Sequence, residues 1–155
     1  MQPARHLEAV TASPGRHVQH LLSRWLAERQ DLMNRLCRLA DALRRGHGRT
    51  KPQAELDRFC EVLVDYVSAG HFEVYRELLE QHARTGTEAE ALALYDLILP
   101  STEAALDFND RYFRGGSAIA LQRDLPVLGQ RLASRFDCED ALIRCLQATP
   151  ATLPA

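Results

Sequence analysis

Apolar residues recur at three- and four-residue spacings along most of this chain, a pattern that permits little except packed helices. Val18, Leu21, Leu22, Trp25, Leu32, Leu36, Leu39 and Leu43 trace one stripe. Residues at that spacing share a face of a helix, so the stripe spans roughly seven turns at 3.6 residues each. It stops at Arg44-Arg45-Gly46, where basic side chains meet the last carbonyls and a glycine can form the cap. Residues 46–53 read as a flexible basic connector.

A second helix is expected from near Pro52 to Thr85-Gly86, with Leu56, Phe59, Leu63, Tyr66, Val74 and Leu78 as its buried stripe. Gly70 falls on that stripe, although glycine inside a helix costs about 1 kcal/mol relative to alanine. We read it as a bend that lets a neighbour approach closely; without it Glu77 would land among the apolar residues. A third helix runs from Glu88 to Phe113, with a kink or break at Pro100 and Ser101 as a new N-cap. A loop at Arg114-Gly115-Gly116-Ser117 precedes the last helix, which runs through Leu121, Leu128, Leu132, Phe136 and Leu142, with Pro126 in its first turns.

No β-branched alternating run occurs. The expected fold is all-α, an up-and-down four-helix bundle with short extra helical segments at the N-terminus. Residues 1–155 make one domain, with 1–15 as a mobile arm or short helix and 149–155 as a tail. A length of 155 residues suffices for one continuous core. The net charge of -2 argues against holding nucleic acid directly, which needs a basic face. Cys37, Cys60, Cys138 and Cys145 contain no CxxC pair and read as small buried thiols kept reduced in the cytoplasm. No membrane-spanning run is present.

The outward face of the second helix stands apart from the others. Glu61, Asp65, Ser68 and Phe72 lie roughly opposite its buried stripe, since successive helical residues turn by about 100°. Two carboxylates, a hydroxyl and a large aromatic there describe a docking surface. A bend at Gly70 would allow the Phe72 ring to turn inward, so exposure and burial both stay open for it. Asp65 should be exposed or paired, because an isolated buried aspartate is costly.

Other chemistries are weaker. His71 could be a phosphoacceptor or, with carboxylates, a metal ligand in a four-helix bundle, and that metal-binding or phosphotransfer reading is the alternative. Phosphotransfer domains place a lysine and a glycine soon after an exposed histidine, whereas Phe72-Glu73-Val74 follows here. Paired-iron bundles need repeated Glu-x-x-His motifs, which are missing. His17 and His20 lack a carboxylate at matching spacing, and His6, His47 and His82 sit in or near loops. No cofactor is expected, and no catalytic motif points to an enzyme. Trp25 reads as core. Glu139 and Asp140 read as a solvated turn of the last helix.

Phe59-Cys60 and Leu63-Val64-Asp65-Tyr66-Val67-Ser68-Ala69-Gly70-His71-Phe72, with Tyr75 following, resemble the Rsd/AlgQ family of bacterial anti-sigma regulators. Arg24-Trp25-Leu26, Arg29-Gln30, Phe108-Asn109-Asp110-Arg111-Tyr112, Arg135-Phe136 and Glu139-Asp140 add to the match, which runs from about residue 18 to 146. The nearer likeness is to the AlgQ branch. The resemblance implies a cytoplasmic all-α protein, a monomer or weak dimer. It implies binding to the primary sigma factor of RNA polymerase, chiefly its C-terminal helix-turn-helix domain that reads the promoter −35 element. The family's sigma-contacting positions carry over to Asp65, Ser68 and Phe72, with Glu61 and His71 beside them. The proline-containing first arm and the Gly115-Gly116 loop depart from the family pattern.

Overall fold

The computed structural model describes the backbone of residues 3–45 and 52–148. Side chains are described for residues 15–45, 53–68 and 72–145. The helices are α1 (Pro3–Arg45), α2 (Pro52–Asp65), α3 (His71–Thr85), α4 (Glu88–Tyr112) and α5 (Ala118–Ala148). A π turn, Tyr66–Gly70, joins α2 to α3 without a break. The expected four-rod bundle is therefore present, with the second rod made of α2, the π turn and α3. Most of the expected connector, residues 46–51, lies outside the described residues, as does the tail from residue 149. The N-terminal segment is helical from Pro3 onward and continuous with α1, rather than a separate short helix.

Each rod buries its stripe in one shared core. Trp25 stacks on Tyr66 at 6.1 Å and meets Tyr75 edge-on at 5.4 Å; Tyr75 in turn meets Tyr95 at 5.5 Å. Phe59 and Phe108 pack edge to face across α2 and α4 at 5.9 Å. Leu32, Leu39, Leu63, Ile98, Leu132 and Leu142 are sealed from solvent. The bend expected at Gly70 takes the form of the π turn, which adds a residue to one helical turn and so rotates everything after it. That rotation brings Val74, Tyr75, Leu78 and His82 inward. Glu77 is left near the rim, 3.9 Å from His17.

Two expectations about helix ends change. α4 is unbroken at Pro100, and Ser101 does not cap a new helix. Ser101 is buried and its hydroxyl donates to the Ile98 carbonyl at 2.6 Å. A proline disrupts a helix mainly by removing one N–H and crowding the preceding turn. Here tight packing of Ile98, Ser101 and Ala105 against the core holds the helix together. Pro126 likewise sits within α5. Between α4 and α5, Gly116 adopts φ of 100°, and a Cβ there would lie 2.7 Å from the Tyr112 ring. Only glycine fits. The cysteines are all free, but Cys37 is exposed rather than buried, because it lies on the solvent side of α1. Cys60 is the buried one, with its thiol pushed up to about 12, chiefly by burial.

Candidate functional site

The π turn divides its neighbourhood into an outside and an inside. On the outside, Glu61, Asp65 and Ser68 are exposed and Phe72 is 76% exposed. The open question over Phe72 is thus answered by the π turn, which swings Val74 and Tyr75 to the core and leaves the ring in solvent. The His71 side chain lies outside the described residues. Glu61 is engaged by Arg58 at 3.2 Å, a pair with both side chains more than half exposed.

α1 completes this face. Glu28 and Asp31 on α1 join Arg58, Val62, Asp65 and Tyr66 around a shallow cavity of about 190 Å³. Three carboxylates in its lining, of which Asp31 already pairs with Arg35 at 3.3 Å, suit a guanidinium or ammonium group from outside. Neither Glu28 nor Asp31 stands out in the sequence, because the facing of two rods is set by tertiary packing.

On the inside lies a polar cluster that the sequence reading missed. Glu139, expected in a solvated turn, is fully buried, as is Arg135. The Arg135 Nε donates to Glu139 Oε1 at 2.8 Å, and the Tyr66 hydroxyl donates to Glu139 Oε2 at 2.6 Å. The Arg135 Nη1 donates to Ser101 Oγ at 3.0 Å and Thr102 Oγ1 at 2.8 Å. Arg29 closes the group, bonding Asp140 at 2.8 Å and lying 3.8 Å from Glu139. Asp140 therefore is not simply solvated either. Burial pushes the Glu139 carboxyl above its ordinary range, while Arg135, Tyr66 and Arg29 pull it back. Burial also raises the Tyr66 hydroxyl, and the neighbouring Glu139 carboxylate raises it further, so Tyr66 stays a donor.

A signal for this cluster was present. Leu128, Leu132, Arg135, Glu139 and Leu142 share one helical stripe, and charged residues inside an apolar stripe are either errors or partners. The cluster touches all four rods: Arg29 on α1, Tyr66 in the π turn, Ser101 and Thr102 on α4, and the pair on α5. It fixes the inward side of the π turn at Tyr66, next to the exposed Asp65 that ends α2 and the exposed Ser68 within the turn. Among the described residues, no group of three or more His, Cys, Asp or Glu side chains is placed to hold a metal ion.

His82 also differs from a loop residue. It is buried at the end of α3, with Nδ1 2.6 Å from Thr87 Oγ1 and Nε2 3.1 Å from the Leu142 carbonyl. A carbonyl only accepts, so Nε2 carries the proton and Thr87 donates to Nδ1. No helix among the described residues is long and apolar enough to cross a membrane.

Comparison with known proteins agrees with the resemblance seen in the residues. Residues 5–147 match the family described as regulator of RNA polymerase sigma(70) subunit, Rsd/AlgQ. The regulator of sigma D of Yersinia enterocolitica is 31% identical over 146 residues, covering 89% of this chain and 86% of that protein. The protein of that name from Enterobacter sp. (strain 638) is 31% identical over 143 residues, covering 88% and 86%. That of Yersinia pseudotuberculosis is 29% identical over 145 residues, covering 89% and 85%. No solved structure matches. This chain, an all-α bundle with its acidic and aromatic side chains set around a π turn, belongs to the Rsd/AlgQ family of regulators of the RNA polymerase sigma(70) subunit.

Proposed function

We propose that this chain binds the primary sigma factor in the cytoplasm through the face formed by Glu61, Asp65, Ser68 and Phe72, with His71 as a further contact. The target is the sigma C-terminal domain, and the effect is sequestration: the bound domain is withheld from the promoter and from polymerase. The observation that carries this reading is an aromatic ring 76% exposed beside an exposed aspartate and serine. A helix that only packed would have no use for Phe72 there.

The chemistry is complementary. A helix-turn-helix presents arginines and lysines to phosphates and base edges. Asp65, with Glu28 and Asp31 across the cavity, offers those side chains charge-assisted hydrogen bonds, roughly twice as strong as neutral ones. Phe72 supplies an apolar anchor of the kind that dominates interfaces. Masking is stoichiometric and needs no bond to be made or broken.

Calorimetric titration against the isolated sigma C-terminal domain tests the proposal. Asp65→Ala should weaken binding with helicity by circular dichroism unchanged, and raised salt should weaken the native complex. Unaltered affinity in Asp65→Ala overturns the assigned face.

A further inference from the structure

A surface helix ordinarily carries one apolar stripe and a polar remainder. α4 carries two. Its inward stripe is complete, with Ala91, Ile98, Ser101, Ala105, Phe108 and Tyr112 buried. On the outward side Leu92, Leu99 and Leu106 remain 46%, 41% and 39% exposed, and Leu97 is 65% exposed. Seven residues are close to two turns, so Leu92, Leu99 and Leu106 stand in one ridge along the helix. Among the described residues, α4 holds four of the eight large apolar side chains left exposed.

Its charge is equally lopsided. α4 contains six acids, Glu88, Glu90, Asp96, Glu103, Asp107 and Asp110, against one base, Arg111. All six acids are exposed, and Arg111 is held by Asp124 at 2.9 Å. Asp96, Glu103 and Asp110 repeat the seven-residue spacing of the leucines, so an acidic row runs beside the apolar ridge.

This charge row selects the occupant. A second copy apposed α4 to α4 would set the same acids against each other, which disfavours a symmetric dimer. The α1 helix has an excess of bases, but its described part exposes only Leu26 as a large apolar side chain, so it has no matching ridge. An acidic row also repels phosphate, in nucleic acid or in anionic lipid. What fits is a helix with leucine-like side chains on one face and lysine or arginine on its flanks, seated as in a two-stranded coiled coil.

We propose that α4 is a second docking face, which takes a basic amphipathic helix of another protein while the α2–α3 face is occupied independently. The probe is a labelled synthetic peptide of three heptads, leucine at the two core positions and lysine at the flanking ones. Fluorescence anisotropy on the purified protein should show saturable binding that weakens as salt is raised. Leu99→Lys should weaken it by about tenfold or more, as should the double charge reversal Asp96→Lys with Glu103→Lys. Phe72→Ala should leave peptide binding intact, and Leu99→Lys should leave sigma-domain binding intact.

Three results would overturn the proposal. One is equal binding by a control peptide with the same lysines and serine for leucine, which reduces the contact to charge alone. Another is loss of peptide binding in Phe72→Ala, which moves the peptide to the α2–α3 face. The third is concentration-dependent self-association in sedimentation that Leu99→Lys abolishes, which assigns the ridge to a second copy.

Discussion

Two arginine–glutamate pairs of nearly the same sequence spacing lie on opposite sides of the wall between core and solvent. Arg58 and Glu61 on α2 meet at 3.2 Å with more than half of each side chain in water. Arg135 and Glu139 on α5 meet at 2.8 Å with neither reaching water. The exposed pair is cheap to rearrange, since such contacts contribute about 0–1 kcal/mol and compete with hydration. The buried pair is fixed, because each charge is tolerable only while the other stays. A docking surface needs charges of the first kind, and the turn that aims it needs a scaffold of the second.

The sharpest way to break this comparison is to remove one member of the buried pair. Glu139→Ala leaves a guanidinium in the core with Ser101 and Thr102 as its neutral partners and takes away the acceptor of Tyr66. A loss of about 3–5 kcal/mol is expected, a large share of the ~5–15 kcal/mol that holds a domain together. Urea denaturation followed by circular dichroism measures it. A loss under about 1 kcal/mol would show that water reaches Arg135 and that the pair is not the scaffold described.

Next in size is the reverse pattern at the surface. Phe72→Ala should cost about 2 kcal/mol or more in binding the sigma C-terminal domain while changing stability by less than about 0.5 kcal/mol. Titration and denaturation of the same variant separate the two. A stability loss as large as the binding loss would place the ring in packing rather than in recognition.

The two pairs also show what a sequence can disclose. The rods were legible because their stripes are long, and the outward strip was legible in Glu61, Asp65 and Ser68, whereas the side taken by Phe72 stayed open until the π turn left its ring in solvent. The cluster around Glu139 was not legible. The residue's place in the stripe of Leu132 and Leu142 signalled burial, but the partners that make burial tolerable, Tyr66 and Arg29, are distant in sequence and could not be named from it. The reading of Ser101 as a cap failed for a related reason. Local preference at Pro100 predicts a break, and the packing of α4 against α5 overrides it. Gly70 signalled a bend correctly, but a π turn is a tertiary compromise with no residue code of its own.

His82 extends the comparison to pH. Buried against Thr87 and the Leu142 carbonyl, it has its pKa lowered below the ordinary 6.5, chiefly by burial, while the Leu142 carbonyl and the charge of Glu90 favour the charged form. The unfolded chain takes up a proton near pH 6.5 that the folded protein refuses. The stabilisation from neutral His82 is therefore complete above that pH and is lost as pH falls toward the folded pKa. Urea midpoints between about pH 5 and pH 7.5 should decline toward acid, and His82→Gln should remove that part of the decline. An unchanged slope in the variant would mean that the folded ring takes up a proton as readily as the unfolded chain does.

The smallest effect is the most discriminating. Arg58 occupies Glu61 from one side and borders the cavity shared with Glu28, Asp31 and Asp65. A basic partner arriving there must displace a like charge and break a weak pair before Glu61 becomes available. Arg58→Ala removes both obstacles at a stability cost of under about 0.5 kcal/mol. Sigma-domain binding should therefore tighten, by up to about fivefold, the equivalent of the ~1 kcal/mol such exposed pairs reach. The gain should shrink as salt screens the repulsion it relieves. Weaker binding in Arg58→Ala would mean that the partner meets this arginine directly, with an acidic group of its own.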